Sequence, residues 1–308
     1  MSLSVTFLGT GGSIPTPGRN PSALFVRREG DQLLFDCGEG TQRQMMRFQT
    51  GFSMSSIFLT HCHGDHVLGL PGLLQTMDFN DREEALTIYT PAGTTGVVED
   101  LVGVVGGAPS FPVSIEGVQP GQEVTRKEGY GVVAFQTDHD ARSVGYALLE
   151  DERKGRFDRE RAEALGVPPG PLFSTLHEGT PVELEDGTVV EPDAVVGPPR
   201  PGRSVVYTGD TRPTAATVAV ADEPDLLIHD GTFIDAEEAW ATETGHSTAR
   251  QAGEIAKRAG ARRLALVHLS SRYGGEVERH LEEAIDGFGS EAVVVPSDGE
   301  CLEVPFPE

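Results

Sequence analysis

The chain reads as a layered α/β fold on three observations. Short apolar segments with β character recur along it, longer amphipathic stretches are interleaved with them, and glycine and turn residues mark the boundaries. Val5–Leu8, Ala23–Arg27, Leu33–Phe35 and Ser56–Leu59 are predicted strands, with a helix over Thr41–Phe48 before the last. A helix over Leu68–Met77 follows, then the strand Leu86–Tyr89, the helix Gly96–Val104 and the strands Val113–Ile115, Gly131–Thr137 and Ser143–Leu149. Further on, the strands Ser204–Tyr207, Asp225–His229, Arg263–Val267 and Ala292–Val295 alternate with the helices Thr214–Ala219, Thr248–Ala259 and Val277–Ile285. Such alternation favours sheets with helices outside. No repeat or composition break divides the chain, so residues 1–308 are expected to form a single domain.

One stretch departs from this rhythm. From Asp151 to Arg203 the chain carries Val167-Pro-Pro-Gly-Pro, Glu185-Asp-Gly and Gly197-Pro-Pro-Arg-Pro-Gly, with little apolar periodicity from which to build a core. Its length of roughly 50 residues exceeds that of an ordinary connection, so 151–203 is expected to be an inserted arm. Gly170 and Pro171 are placed at the turn that shapes its tip. Lys154, Arg156, Arg159 and Arg161 form a local basic cluster, suited either to phosphate contact or to a solvated helix face neutralised by Glu160 and Glu163.

Composition narrows the class. A chain of 308 residues with 38% apolar and 23% charged residues can bury a large core, and no segment approaches the roughly 20 apolar residues that span a bilayer. No membrane partner is expected. The first residues alternate like a strand and show no signal-peptide pattern, so a cytoplasmic location is expected. Cys37, Cys62 and Cys301 are odd in number and far apart, so they read as free thiols. The net charge is -24, with three lysines against 21 arginines. Taken alone, that charge repels polyanions; yet an acidic, lysine-poor surface also suits a proteome at molar salt, where the Debye length shrinks to about 3 Å.

The chemistry concentrates in Ile57-Phe-Leu-Thr-His-Cys-His-Gly-Asp-His, where an apolar strand runs into His61, His63, Asp65 and His66. Imidazoles with a carboxylate suit Zn²⁺ or Mn²⁺, and four such groups crowded on one turn have no structural purpose without a cation. Cys62 is expected to face away from them. A dinuclear site needs donors from later strand ends, and His139, Asp210 and His268 each stand just past an apolar run.

Thr60-His-Cys-His-Gly-Asp-His is similar to the signature of the metallo-β-lactamase superfamily. The wider pattern resembles the ribonuclease Z family. The matching pieces include Phe7-Leu-Gly-Thr-Gly-Gly-Ser-Ile-Pro-Thr, Phe35-Asp-Cys-Gly-Glu-Gly, Gly166-Val-Pro-Pro-Gly-Pro-Leu, Tyr207-Thr-Gly-Asp-Thr-Arg-Pro, Gly245-His-Ser-Thr-Ala and His268-Leu-Ser-Ser-Arg-Tyr, in family order. The resemblance implies an αβ/βα sandwich, two zinc ions per subunit, a flexible arm that grips precursor tRNA, and a homodimer. It assigns His61, His63 and His139 to one zinc and Asp65, His66 and His268 to the other, bridged by Asp210, with Asp65 also acting on the attacking water. It makes His246 the general acid that protonates the leaving 3′ oxygen, held by an acidic partner. Here that partner is Asp230, where the family usually carries glutamate, so the pairing distance is in question; otherwise His246 reads as a helix-start residue beside a cap at Ser247. Ser270 and Arg272 are candidates for holding the scissile phosphate. The alternatives are a small-molecule hydrolase of the same superfamily and a non-catalytic RNA-binding scaffold; the arm opposes the first and the intact donor set the second.

Overall fold

The computed structural model describes residues 2–104, 109–220 and 223–307. Two seven-stranded sheets dominate. In the first, strands lie in the order Cys301–Glu303, Leu3–Gly9, Ala23–Arg28, Asp31–Phe35, Ser56–Phe58, Leu86–Pro91 and Val113–Val118. Its first four members pair antiparallel and the rest parallel. In the second the order is Val293–Val294, Leu264–Val267, Leu226–Asp230, Ser204–Tyr207, Val144–Glu150, Tyr130–Gln136 and Glu123–Lys127. Here Ser204–Tyr207, Leu226–Asp230, Leu264–Val267 and Val293–Val294 run parallel.

Alternation along the strands sends side chains to both faces of each sheet, which requires three apolar layers. The central layer joins the sheets through Val5, Phe7, Phe35, Phe58, Tyr146, Tyr207 and Ile228. The outer face of the first sheet is covered by the helices Thr41–Phe48, Leu70–Phe79 and Thr95–Gly103 through Met45, Leu73, Met77 and Val98. The helices Ala249–Arg258 and Glu278–Phe288 cover the second through Ala252, Ile255, Ala284 and Phe288. The architecture is therefore an αβ/βα sandwich. Phe58 stands at its centre, stacked between Phe35 at 4.8 Å and Tyr89 at 5.0 Å.

Several elements differ from expectation for identifiable reasons. The helix predicted over Leu68–Met77 is broken at Gly69, giving Gly64–Val67 and Leu70–Phe79. Gly69 lies so close to the Gly38 carbonyl that a β-carbon would come within 2.1 Å of it. The strand Glu123–Lys127 carries no apolar signal in the sequence, being an edge strand of mostly polar, partly exposed residues. Cys301–Glu303 is too short to signal itself and exists by pairing with Leu3–Gly9.

Contacts divide the chain into two compact units, Met1–Leu149 with Arg203–Phe306, and Glu150–Gly202 with the last two residues. The second was expected to lack a core, and it has a small one: Ala162, Val167, Leu176, Val182, Val190 and Val195, flanked by Phe157 and Phe173. The pattern was illegible because these residues come from two one-to-two-turn helices, Arg159–Ala164 and Pro171–His177, and a two-residue hairpin rather than from one periodic run. Gly170 caps the second of those helices and Pro171 is its first residue, both exposed.

Two measurements check this packing. Phe58→Ala is expected to cost about 3–5 kcal/mol, read by denaturant unfolding at fixed salt. Burial pushes the Cys37 thiol up to about 12, whereas Cys301 is exposed. In native protein at pH 8 a thiol reagent should therefore label Cys301 and leave Cys37 unmodified until the chain is unfolded.

Candidate metal centre

Every candidate ligand stands where a strand of the sandwich ends. His61, His63, Asp65 and His66 follow Ser56–Phe58, His139 follows Tyr130–Gln136, Asp210 follows Ser204–Tyr207 and His268 follows Leu264–Val267. The structure brings all seven together as two groups that share one carboxylate: His61, His63, His139 and Asp210, and Asp65, His66, Asp210 and His268. Asp210 lies 3.6 Å from His61 Nε2, 3.3 Å from His66 Nε2 and 3.2 Å from His268 Nε2. Cys62 packs instead with the outer core of the first sheet.

The rings are held from behind. His66 Nδ1 meets Asp36 Oδ2 at 2.8 Å, His139 Nδ1 meets the Gly245 carbonyl at 2.8 Å, and His268 Nδ1 meets Thr232 Oγ1 at 2.8 Å. With Nδ1 engaged, Nε2 is left as the coordinating atom. Asp36 was not singled out as a site residue, although it follows an apolar strand as the ligands do. Its carboxylate also accepts from Thr60 N–H at 2.8 Å and from the Tyr207 hydroxyl at 2.7 Å. Both Asp36 and His268 adopt left-handed backbone, φ 57° and 63°, a conformation that non-glycine residues hold only where the surroundings impose it.

These residues fit a cation on three counts. His61 Nε2, His66 Nε2 and Asp210 Oδ1 are buried and make no hydrogen bond of good geometry. Burial, with the neighbouring His66, pulls His61 far below its ordinary value and keeps it in the neutral, ligating form. Burial raises Asp65, but the hydrogen bond to His268 and the nearby His66 outweigh it and keep the carboxylate ionised.

His246 adjoins this cluster, its ring stacked on that of His268 at 4.9 Å. Its Nδ1 lies 2.8 Å from Asp230 Oδ2, so the shorter acid still reaches the imidazole. It does so because Asp230 is the last residue of its strand and is fixed by Thr232 Oγ1 at 2.6 Å and Thr211 N–H at 3.1 Å. Burial lowers the His246 pKa, yet Asp230 overrides this and lifts it to about 9. The helix cap is Thr248, in a capping box with Gln251, and not Ser247, whose hydroxyl donates to the Thr211 carbonyl. Arg272 is ion-paired with Glu237 at 2.6 Å and lies over Phe233, while Ser270, two residues after His268, lines a cavity with Leu269 and Tyr273.

Residues 187–269 match a family described as beta-lactamase superfamily domain, and residues 3–102 one described as anti-Pycsar protein Apyc1. Over its full length the chain is 64% identical to all of a ribonuclease Z from Natronomonas pharaonis. The chain belongs to the ribonuclease Z family. It is likewise 52% identical to a ribonuclease Z from Methanosarcina acetivorans, over 99% of each chain. The crystal structure of human tRNase Z, short form, superposes with a TM-score of 0.71 at 28% identity, covering 98% of this chain and all of the other. The chain is thus a ribonuclease hydrolase on the metallo-β-lactamase fold. Its more similar relatives include proteins of halophilic archaea.

If Asp36 organises the centre, Asp36→Asn should weaken divalent metal binding about 10–100-fold, the range typical of residues that support ligands. A chelator titration reads this, with circular dichroism as the control for folding.

Proposed function

We propose that this protein removes the 3′ trailer from tRNA precursors, leaving a 3′-hydroxyl on the tRNA and a 5′-phosphate on the trailer. Membership of the ribonuclease Z family and the seven-ligand cluster support the reading, and the observation that carries it furthest is the His246–Asp230 pair stacked against His268. His61, His63 and His139 would hold one Zn²⁺ and Asp65, His66 and His268 a second, with Asp210 shared; bound there, the ions supply Lewis acidity toward phosphate and water. Asp65, fixed by the Ser13 N–H at 2.7 Å and by His268, accepts a proton from the attacking water. His246 holds its Nδ1 proton on Asp230, which keeps the ring protonated and leaves Nε2 to donate to the departing 3′ oxygen.

The arm, Glu150–Gly202, is assigned to gripping the tRNA body, with Gly170 and Pro171 at its exposed turn and Lys154, Arg156 and Arg161 for phosphate; Arg159 is engaged by Glu163 at 2.8 Å. Arg272 would reach a phosphate only by leaving Glu237. The acidic surface is read as an adaptation to molar salt, and the compartment as the cytoplasm. No helix among the described residues is long and apolar enough to cross a membrane. A homodimer would cover the exposed Met46 on the helix Thr41–Phe48, Leu68 in the break after Gly64–Val67 and Phe79 at the end of Leu70–Phe79, 64%, 54% and 80% accessible.

The test is cleavage of an unprocessed precursor at low and molar salt, with both product ends mapped and Asp65→Ala as control. A cut at the 3′ boundary of the acceptor stem with the stated ends, lost in the control, supports the reading. No cleavage at either salt, with turnover of bis(p-nitrophenyl) phosphate, would replace it by a small-molecule phosphodiesterase. His246→Ala is expected to lower kcat about 10²–10⁴-fold with metal content unchanged.

A further inference from the structure

Arg142, three residues after the ligand His139, has no acid of its own. Other arginines on loops around the centre are engaged: Arg19 by Thr10 Oγ1 and the Pro296 carbonyl, Arg212 by Asp138 at 3.2 Å and Asp140 at 2.7 Å, and Arg272 by Glu237. Arg142 is exposed, and among the described residues its side chain makes one hydrogen bond, to the Ala92 carbonyl at 3.2 Å, and no ion pair. The chain makes room for it. A β-carbon at Gly93 would fall 2.2 Å from Arg142 Nη1, and Gly93 holds φ 87°, so the turn after Leu86–Pro91 leaves a slot in which the guanidinium lies. That turn adjoins the ligands, because Leu86–Pro91 pairs with Ser56–Phe58, the strand that runs into His61, and Thr90 Oγ1 lies 3.6 Å from Cys62 Sγ.

Arg142 lines a cavity of about 400 Å³ together with Ala92, Thr137, Asp138, His139 and Ser143, among others. The carboxylate in that lining, Asp138, is neutralised by Arg212, so Arg142 sets the sign of the cavity. Thr137 Oγ1 and Ser143 Oγ, 2.7 Å apart, add hydroxyls. A guanidinium with N–H groups to spare beside two hydroxyls suits a phosphate, which it binds through two parallel hydrogen bonds. Three residues of chain span at most about 11 Å, so this anion site stands close to the ligand His139 and not out on the arm.

We propose that Arg142 binds the phosphate joining the last two nucleotides of the mature tRNA, the one that precedes the scissile phosphate. The inference rests on the proposed trailer-removing activity. In an in-line displacement the attacking water and the leaving oxygen stand on opposite sides of phosphorus. Asp65, which acts on the water, belongs to the ligand group of His268 and not to that of His139. His246, which donates to the leaving 3′ oxygen, has its ring between those of His268 and His139, at 4.9 and 5.1 Å. The line from Asp65 through phosphorus to His246 thus leads from the His268 group toward His139, and the tRNA strand that ends in the leaving oxygen continues on the side of Arg142.

The test uses full-length protein and three precursors: unmodified, with an uncharged methylphosphonate at the linkage between the last two tRNA nucleotides, and with one at the second trailer linkage. The wild-type protein should lose about tenfold in kcat/KM on the first modified precursor, the order of one charge-assisted hydrogen bond, and little on the second. Arg142→Gln should show a similar loss on the unmodified precursor and no further loss on the first modified one, with Arg142→Lys partly rescued. It should also flatten the dependence of log kcat/KM on log salt by about 0.7, the share of one phosphate. Equal cleavage of the unmodified and first modified precursors by the wild-type protein would overturn this inference while leaving trailer removal intact. So would an Arg142→Gln defect of the same size on both, the mark of a merely structural role. Absence of cleavage of every precursor would overturn the parent reading and this one with it.

Discussion

A single buried carboxylate ties the two halves of the sandwich to the site between them. Asp36, at the end of a first-sheet strand, accepts from Tyr207 of the second sheet, from Thr60 at the root of the histidine segment and from His66 itself. A buried charge is stable only when such partners surround it, so the position of each partner is set by the others. One group therefore fixes the distance between the sheets, the path of the chain into His61–His66 and the orientation of a ligand ring. The left-handed backbone of Asp36 is consistent with that demand.

The same economy extends outward. Thr232 contacts Asp230, His246 and His268 through one hydroxyl, so the proton-donating pair and a metal ligand share an anchor. Asp298 binds Thr10, Asn20 and Gln44, holding both ends of the segment from which Ser13 reaches Asp65 and Gly12 abuts His268. Nearly every residue of this kind follows an apolar strand, because parallel strand ends converge side chains without needing long loops.

That regularity explains what was legible in the sequence. His61, His63, Asp65 and His66 announced themselves by density, and His139, Asp210 and His268 by their place after apolar runs. Asp36 had the same placement but stood alone among glycines and a cysteine, and its role as a support depends on partners 24 to 171 residues away. The pairing of His246 with Asp230 could be suspected but not measured, since the reach of the shorter acid depends on the end of the strand that carries it. The arm's small core was hidden for a different reason: it is assembled from short pieces with no common period.

The account turns on Asp210 being the one carboxylate common to both ligand groups. Native mass spectrometry of the metal-loaded protein and of Asp210→Ala tests this most directly. Two divalent ions in the wild-type chain, with at most one retained in the variant under the same conditions, is the expected result. A variant that keeps both ions, or a wild-type chain that binds only one, would contradict it.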